Sequence, residues 1–351
     1  MSDTKAVTST TQFINCSGTG ITPMEVCKMR EPNGISNGHP EIIIAGLMIA
    51  DILVKPFREL PSEGDVVEVE SIEMHPGGDG LNTALAMAAL GHRVKMVGCI
   101  GDDKFGELIL DALTLYGVDA SQVRKLTNVR TSACIALVTE TGDRCFLFQP
   151  GADQLLTASM VMPALESNAK VFHIGSLFGL SALTDEAGSL FARARELGMA
   201  TTFDVTWDRQ GRWLNAIRDA LAHTSVVMPS ELEARMLTNC NEPMQMAREL
   251  LSMGPDAVVL KLGERGCLWM NKCDCGIVPA RRIDVIDSTG AGDAFVAGFL
   301  SAMLDGLPIQ KCCERGVAVA SLCIAGIGAD AAARKLRAEP QLAVRLRELA
   351  Y

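Results

Sequence analysis

A short run of small residues between an alternating segment and an apolar one does most to limit what this chain can fold into. Arg282-Ile283-Asp284-Val285-Ile286 alternates as a short strand does, and Ala294 to Leu304 reads as an apolar helix. Gly290, Ala291 and Gly292 therefore stand where a loop becomes a helix. Small residues there leave backbone N–H groups bare, and the helix end adds a partial positive charge, so the spot suits an anion. Asp293 follows directly. A carboxylate repels a resting anion, and its place is explained if it accepts a proton while the amides hold negative charge building beside it. The same residues also read as an acidic helix start with permissive glycines.

A second glycine-rich run lies far upstream. Gly77-Gly78-Asp79-Gly80-Leu81-Asn82-Thr83-Ala84 continues to Leu90-Gly91, then to Val97-Gly98-Cys99-Ile100-Gly101-Asp102-Asp103-Lys104-Phe105-Gly106. Together with Asp287-Ser288-Thr289-Gly290-Ala291-Gly292-Asp293-Ala294-Phe295 it resembles the two signatures of the ribokinase-like (PfkB) family of carbohydrate kinases. The family writes them G-G-x-x-x-N-x-A … L-G … G-x-x-G-x-D-x-x-G and D-T-x-G-A-G-D-x-F. Order and spacing agree, and the resemblance extends over residues 41–330.

The resemblance implies a three-layer α/β/α sandwich with a mostly parallel central sheet and a small β-sheet lid. It implies an ATP-dependent sugar kinase, with Asp293 as general base and Gly290, Ala291 and Gly292 as the anion hole. Residues 39–351 would form the kinase domain, preceded by a flexible extension at 1–38 that is rich in Ser, Thr, Gly and Asn. Glu41 to Leu47 reads as a buried strand whose end delivers Asp51, where the family carries a sugar-binding carboxylate. Gly77 and Gly78 would let the backbone approach the sugar, with Asn82 opening the helix that follows. Asn82 equally suits an ordinary first helical turn. Asp51 and Asp79 would place two negative charges at the acceptor, which disfavours a phosphorylated substrate and suits a neutral polyol.

Two alternating pairs interrupt the βα rhythm. One lies within about 52–76, around a turn near Pro61-Ser62-Glu63-Gly64. The other lies within about 131–149, around Glu140-Thr141-Gly142-Asp143. The resemblance joins them as a lid that excludes water and makes a homodimer contact. Taken by themselves they are two surface hairpins.

Further on, Asp204-Val205-Thr206-Trp207-Asp208-Arg209 departs from the family's D-x-N-x-R. Thr206 replaces the Asn, and Asp208 falls where the Arg belongs. Pro229-Ser230-Glu231-Leu232-Glu233 resembles the family's P-N-x-x-E, with Ser230 in place of the Asn and Glu233 kept, and the resemblance implies that this glutamate serves magnesium through water. Lys261, Gly263 and Gly266 fall at the family's nucleotide turn, although the glycines also suit a plain hairpin. The resemblance further implies that backbone oxygens near Asp287, Thr289 and Ala325–Ala329 could hold a potassium ion. One final helix would carry Arg334, Lys335, Arg337, Arg345 and Arg347 on a solvated face.

The totals narrow the classes. The chain has 351 residues, a net charge of −10 and 48% hydrophobic content, enough for one large core. No basic concentration points to nucleic acid or a membrane surface, and no apolar run spans a bilayer. The twelve cysteines lie mostly singly in apolar segments, so reduced thiols in a cytoplasmic protein are expected. No G-x-x-x-x-G-K-[ST] loop occurs, and Gly290-x-Gly292 lacks the place and third glycine of a dinucleotide fingerprint. The alternatives left open are a nucleoside kinase of the same family and a non-catalytic sugar- or nucleotide-binding protein.

Overall fold

A computed structural model of the chain describes residues 39–57, 62–139 and 144–348. The proposed extension at 1–38, Pro61 and the turn at Glu140–Asp143 lie outside the described residues.

The chain opens with β1 (Ile42–Gly46), and two strands then leave the main sheet, β2 (Ile49–Phe57) and β3 (Ser71–Gly77). It returns through α1 (Asp79–Ala89), β4 (Val94–Gly101), α2 (Lys104–Leu115) and β5 (Asp119–Leu126). A second excursion follows, β6 (Ser132–Thr139) and β7 (Arg144–Gln149). Alternation then resumes with α3 (Ala158–Leu165), β8 (Val171–Gly175), α4 (Ser181–Thr184), α5 (Ala187–Glu196), β9 (Ala200–Phe203), α6 (Leu214–Ala222) and β10 (Val226–Val227). Next come α7 (Glu231–Thr238), α8 (Pro243–Ser252), β11 (Ala257–Lys261), β12 (Cys267–Asn271) and β13 (Cys275–Val278). The chain closes with α9 (Ala291–Leu304), α10 (Ile309–Ile324), α11 (Ala331–Ala338) and α12 (Pro340–Glu348).

The main sheet has nine strands in the order β13-β12-β11-β10-β9-β8-β1-β4-β5, antiparallel only where β12 and β13 join. β1 shows why such a strand is apolar at every position. Ile42 and Ile44 pack with Leu85 of α1 and Phe299 of α9. Ile43 and Ala45 pack on the other face with Val161 of α3 and Phe191 of α5. A parallel strand covered by helices on both sides loses the alternation of a half-exposed one. The three isoleucines are fully buried, and each such burial stabilises by about 1.5–3 kcal/mol.

From β1 the chain winds one way to β4 and β5, then the other way from β8 to β11. β1 and β8 therefore flank the point where strand order reverses, and open α/β sheets bind ligands in the crevice beyond the strand ends there. Gly46 and Gly175 pair at that point, and Gly80 of α1 sits on both. A β-carbon on Gly80 would meet the Gly46 Cα at 2.6 Å, so glycine is what seats the start of α1 in the crevice.

The two excursions form a separate sheet in the order β3-β2-β6-β7, which agrees with the expected small sheet. Three details differ. Asp51 lies inside β2, so the smaller sheet carries it, and it does not follow the first strand as a loop residue. Val66 to Glu70 alternates but makes no strand; Val66 is exposed, and pairing begins at Ser71. Arg282–Ile286 is likewise unpaired, with Val285 and Ile286 exposed and Ile286 N–H bonded to the Ile324 carbonyl. Alternation marks a strand only where one face finds a core, and here neither does.

The expected final helix is two, α11 and α12, divided at Glu339–Pro340 where proline disfavours helical backbone before it. Its basic residues are not simply solvated. Arg347 and the buried Arg315 both bind Asp305, and Arg334 binds Asp330.

Candidate active site

α9 begins at Gly290, whose φ of 74° is left-handed, and a β-carbon there would stand 2.4 Å from the Ala329 carbonyl oxygen. Glycine alone meets both demands. Asp293 lies in the first turn and is buried. Asn82, in the first turns of α1, donates from Nδ2 to Asp293 Oδ2 at 2.8 Å. The amino ends of two helices thus meet, and their partial positive charges converge. The Asn82 Oδ1 is buried and accepts no hydrogen bond from the described residues.

Carboxylates crowd this point. Burial pushes the Asp293 carboxyl up to about 7, assisted by the charge of Asp204 and opposed by the Asn82 hydrogen bond and Lys261. Asp79, at the start of α1, is raised well above the usual carboxylate range by burial and then by Asp293 and Asp204. Asp51 rises to about 7 through burial and the Asp293 charge. Its carboxylate lies where a Gly77 side chain would be, 1.9 Å from the position of a β-carbon, so Gly77 makes room for Asp51.

Two cationic side chains answer these acids. Lys261, at the end of β11, places Nζ 3.3 Å from Asp204 Oδ2, and a β-carbon on Gly292 would stand 3.5 Å from that Nζ. His75 pairs with Asp51 across β2 and β3, and its ring nitrogens lie 3.1 Å from Glu73 and 3.6 Å from Asp330. Asp330 and Glu73 raise its pKa above the ordinary imidazole value, against the opposing effect of burial.

The structure gathers Asp51, Gly77, Gly78, Asp79, Asn82, Lys261 and Gly290–Asp293 around one crevice. Ser230 and Glu233 stand beside it, Ser230 bridged to Lys261. They form a capping box for α7: Ser230 N–H donates to Glu233 Oε2 at 2.7 Å, and Glu233 N–H to Ser230 Oγ at 3.3 Å. Glu233 is therefore a cap as well as a candidate for the metal, and burial raises its pKa. Gly263 and Gly266 turn β11 into β12; a β-carbon on Gly266 would meet the Val278 carbonyl at 2.0 Å, which is a packing reason of its own. Asp287 accepts from Thr289 N–H at 2.7 Å and Gly328 N–H at 2.9 Å, tying the anion loop to the 325–330 loop.

Sequence reasoning placed no role on Asp204, His75 or Asp330. Asp204 carried a signal, since a carboxylate just beyond a parallel strand points into the crevice. His75 and Asp330 carried none, because their meeting depends on how the small sheet lies. Asp208 accepts the N–H groups of Gln210 and Trp213, and Arg209 lies over Phe148 of β7 at 4.7 Å.

A crevice at the switch point, an amide-lined helix start and a carboxylate poised beside it define a phosphotransferase with an alcohol acceptor. Residues 41–336 match the profile of the pfkB family carbohydrate kinases. The chain belongs to that family. Fructokinase-2 of Solanum habrochaites is 31% identical over 242 residues, covering 66% of this chain and 73% of its own. Fructokinase-1 of Oryza sativa subsp. japonica is 29% identical over 306 residues, covering 82% and 91%. Among solved structures, Arabidopsis thaliana ribokinase complexed with ribose and ATP superposes with a TM-score of 0.72 at 25% identity, covering 86% of this chain and 99% of its own. An E. coli protein solved with ATP and Mg2+ superposes with a TM-score of 0.75 at 21% identity, covering 86% and 99%. Among the described residues no helix is long and apolar enough to cross a membrane.

The raised Asp293 carboxyl has a consequence for stability. Between about pH 4 and pH 7 the folded chain holds a proton there that the unfolded chain releases, so this group makes stability fall as pH rises. Asp293→Asn keeps an acceptor for Asn82 and removes the charge. It should raise unfolding free energy at about pH 8, on the order of a few kcal/mol, and leave it nearly unchanged at about pH 4. Chemical denaturation of both proteins at the two pH values checks this; equal stability near pH 8 contradicts it.

Proposed function

We propose the following division of labour in this ATP-dependent sugar kinase. Asp293 takes the proton from an acceptor hydroxyl, whose oxygen attacks the γ-phosphorus in line as the bond to the β-phosphate oxygen breaks and ADP leaves. The N–H groups of Gly290, Ala291 and Gly292 hold the charge on the phosphoryl group as it passes. Asp51 and Asp79 bind sugar hydroxyls, Gly77 and Gly78 give backbone access, and Asn82 orients Asp293 while its open Oδ1 accepts from the sugar. The observation that carries the reading is the Asn82–Asp293 hydrogen bond at the meeting of two helix starts. It puts a partly protonated carboxyl where an oxygen nucleophile and an anion would meet.

The nucleotide lies across Ser230, Lys261, Gly263 and Gly266 toward the 325–330 loop. That a solved relative was complexed with ribose and ATP supports a sugar and a nucleotide as the two ligands. Magnesium, when bound, neutralises phosphate charge. Among the described residues no three His, Cys, Asp or Glu side chains converge on a metal position. Glu233 would touch that ion through water, since magnesium keeps much of its hydration. The loops joined by Asp287, with Thr289 beside it, offer backbone oxygens to a potassium ion.

The acceptor is a neutral sugar. A phosphorylated acceptor would bring further negative charge to buried carboxyls that already resist ionising beside one another, which works against it. The first assay is ADP release with Mg-ATP against free sugars, sugar acids, sugar phosphates and nucleosides, with potassium or sodium as the salt. Turnover with a neutral sugar is expected, and Asp293→Asn should lose about a thousandfold or more in kcat with ATP binding kept. Turnover only with nucleosides would make this a nucleoside kinase. ATP binding without any turnover would favour a binding protein on this scaffold.

The smaller sheet serves as lid and dimer contact. Cross-strand register puts Asp51, His75, Cys134 and Phe148 on one face, and Ile52, Met74, Ile135 and Leu147 on the other with Val54, Ile72 and Leu137. That second face is apolar, and Ile72, Met74 and Leu147 are 66%, 59% and 60% exposed. An exposed apolar patch of this kind marks an interface. We assign it to a second copy of the chain. Sedimentation should show a dimer that Ile72→Glu with Leu147→Glu turns into a folded monomer; a monomeric wild-type protein would contradict the assignment.

A further inference from the structure

Lys261 sits oddly for a lysine. Its side chain is only 16% exposed, and its ammonium lies beside the first turn of α9, whose bare amides are themselves partly positive. Two positive features this close repel each other unless an anion lies between them. Asp204 holds the ammonium from one side at 3.3 Å. Glu233, Asp293 and Asp79 act on it as well, in that order after Asp204. On the side of Gly292 only glycine separates Nζ from the amides that line the anion hole, since a β-carbon there would be 3.5 Å away.

We infer that Lys261 is a catalytic residue that donates a charged hydrogen bond to the phosphoryl group in transfer, and that Asp204 is the positioning residue that holds it there. The inference rests on the sugar-kinase reading above and adds a side-chain cation to its backbone anion hole. In the transfer the Lys261 ammonium keeps its proton. The proton that moves is the acceptor's, to Asp293, and the electron pair of the broken bond leaves on ADP. Asp204 is suited to its task because its two oxygens are divided. Oδ1 accepts the Ser176 N–H at 2.8 Å and anchors the carboxylate to the fold, while Oδ2 faces Lys261. Asp204 stands at the end of β9 and Lys261 at the end of β11, so two ends of one rigid sheet set the ammonium's position.

The groups facing Asp293 are Asp204, Asn82, Lys261 and Glu233, with Asp79 and Asp51 also feeling its charge. Removing the Asp204 charge therefore relieves Asp293 of a repulsion and lets Lys261 lean toward it. Both effects lower the pH at which Asp293 becomes a base.

Full-length Lys261→Met, Lys261→Arg and Asp204→Asn separate this from a structural ion pair. By calorimetry, Lys261→Met should bind a non-hydrolysable β,γ-imido ATP analogue about tenfold more weakly and ADP within about twofold of wild type. Equal losses for both nucleotides would overturn the assignment to the transferred group, and this readout needs no turnover. With the acceptor found above, Lys261→Met should lower kcat about a hundredfold or more, and Lys261→Arg should recover part of it. A kcat within about threefold of wild type would overturn the catalytic role. Asp204→Asn keeps an acceptor for Ser176 N–H and should remain folded, which a thermal melt checks. It should lower kcat and move the acidic limb of the kcat/KM profile to lower pH; a lower kcat with the limb unmoved would overturn the positioning role. A wild-type protein with no turnover on any acceptor, yet with the selective loss of the ATP analogue in Lys261→Met, would remove the sugar-kinase reading and keep Lys261 on the terminal phosphate.

Discussion

The hydrogen bond from Asn82 to Asp293 joins residues 211 apart in sequence, and the rest of the site depends on it. It requires α1 and α9 to begin side by side. That in turn requires Gly80 to sit against Gly46 and Gly175, and Gly290 against Ala329. A single added methyl at either point would push one helix start away from the other. The burial that holds the sheet together therefore also sets the distance between the Asp293 carboxyl and the Asn82 amide. The Thr83 hydroxyl, which reaches the Asp293 carbonyl at 3.4 Å, repeats the link through the backbone.

The crevice gives up stability for chemistry. Asp51, Asp79 and Asp293 are each pushed up by burial; the Asp293 charge adds to the first two and the Asp204 charge to the last two, because carboxylates in a poorly solvated space resist sharing it as anions. Lys261 and His75 offset part of this. Acids this close titrate as a coupled group, each proton lost making the next harder to lose. A base whose pKa lies near working pH is half ready and still strong enough to take a proton. Proteins retain arrangements of this kind where function needs them, and pay for them through burial elsewhere.

Much of the fold and part of the site were legible in the sequence, and the difference has physical causes. The glycine runs at 77–80 and 290–292 were readable because a helix start that must approach another backbone tolerates few residues. β1 was readable from its unbroken apolar run. Asp51 was identified as a site residue but misplaced on the fold, since nothing local tells whether a strand end continues into a second sheet. Arg282–Ile286 was misread because periodicity reports shape without reporting whether a neighbour exists. Lys261 was assigned to the nucleotide by its position in a turn, while its contact with Asp204 and its nearness to Gly292 arise only when β9, β11 and α9 come together. His75 and Asp330 were invisible for the same reason.

The central claim is that the fold holds Asp293 as a carboxyl titrating near neutral pH at the point of transfer. The most direct measurement is a carbon-13 NMR titration of the full-length protein labelled at aspartate carboxyls, with Asp293→Asn to assign the signal. The account requires a carboxyl resonance with an apparent pKa of about 7 that disappears in the mutant. If every resonance lost in the mutant titrates in the ordinary range near 4, the claim fails.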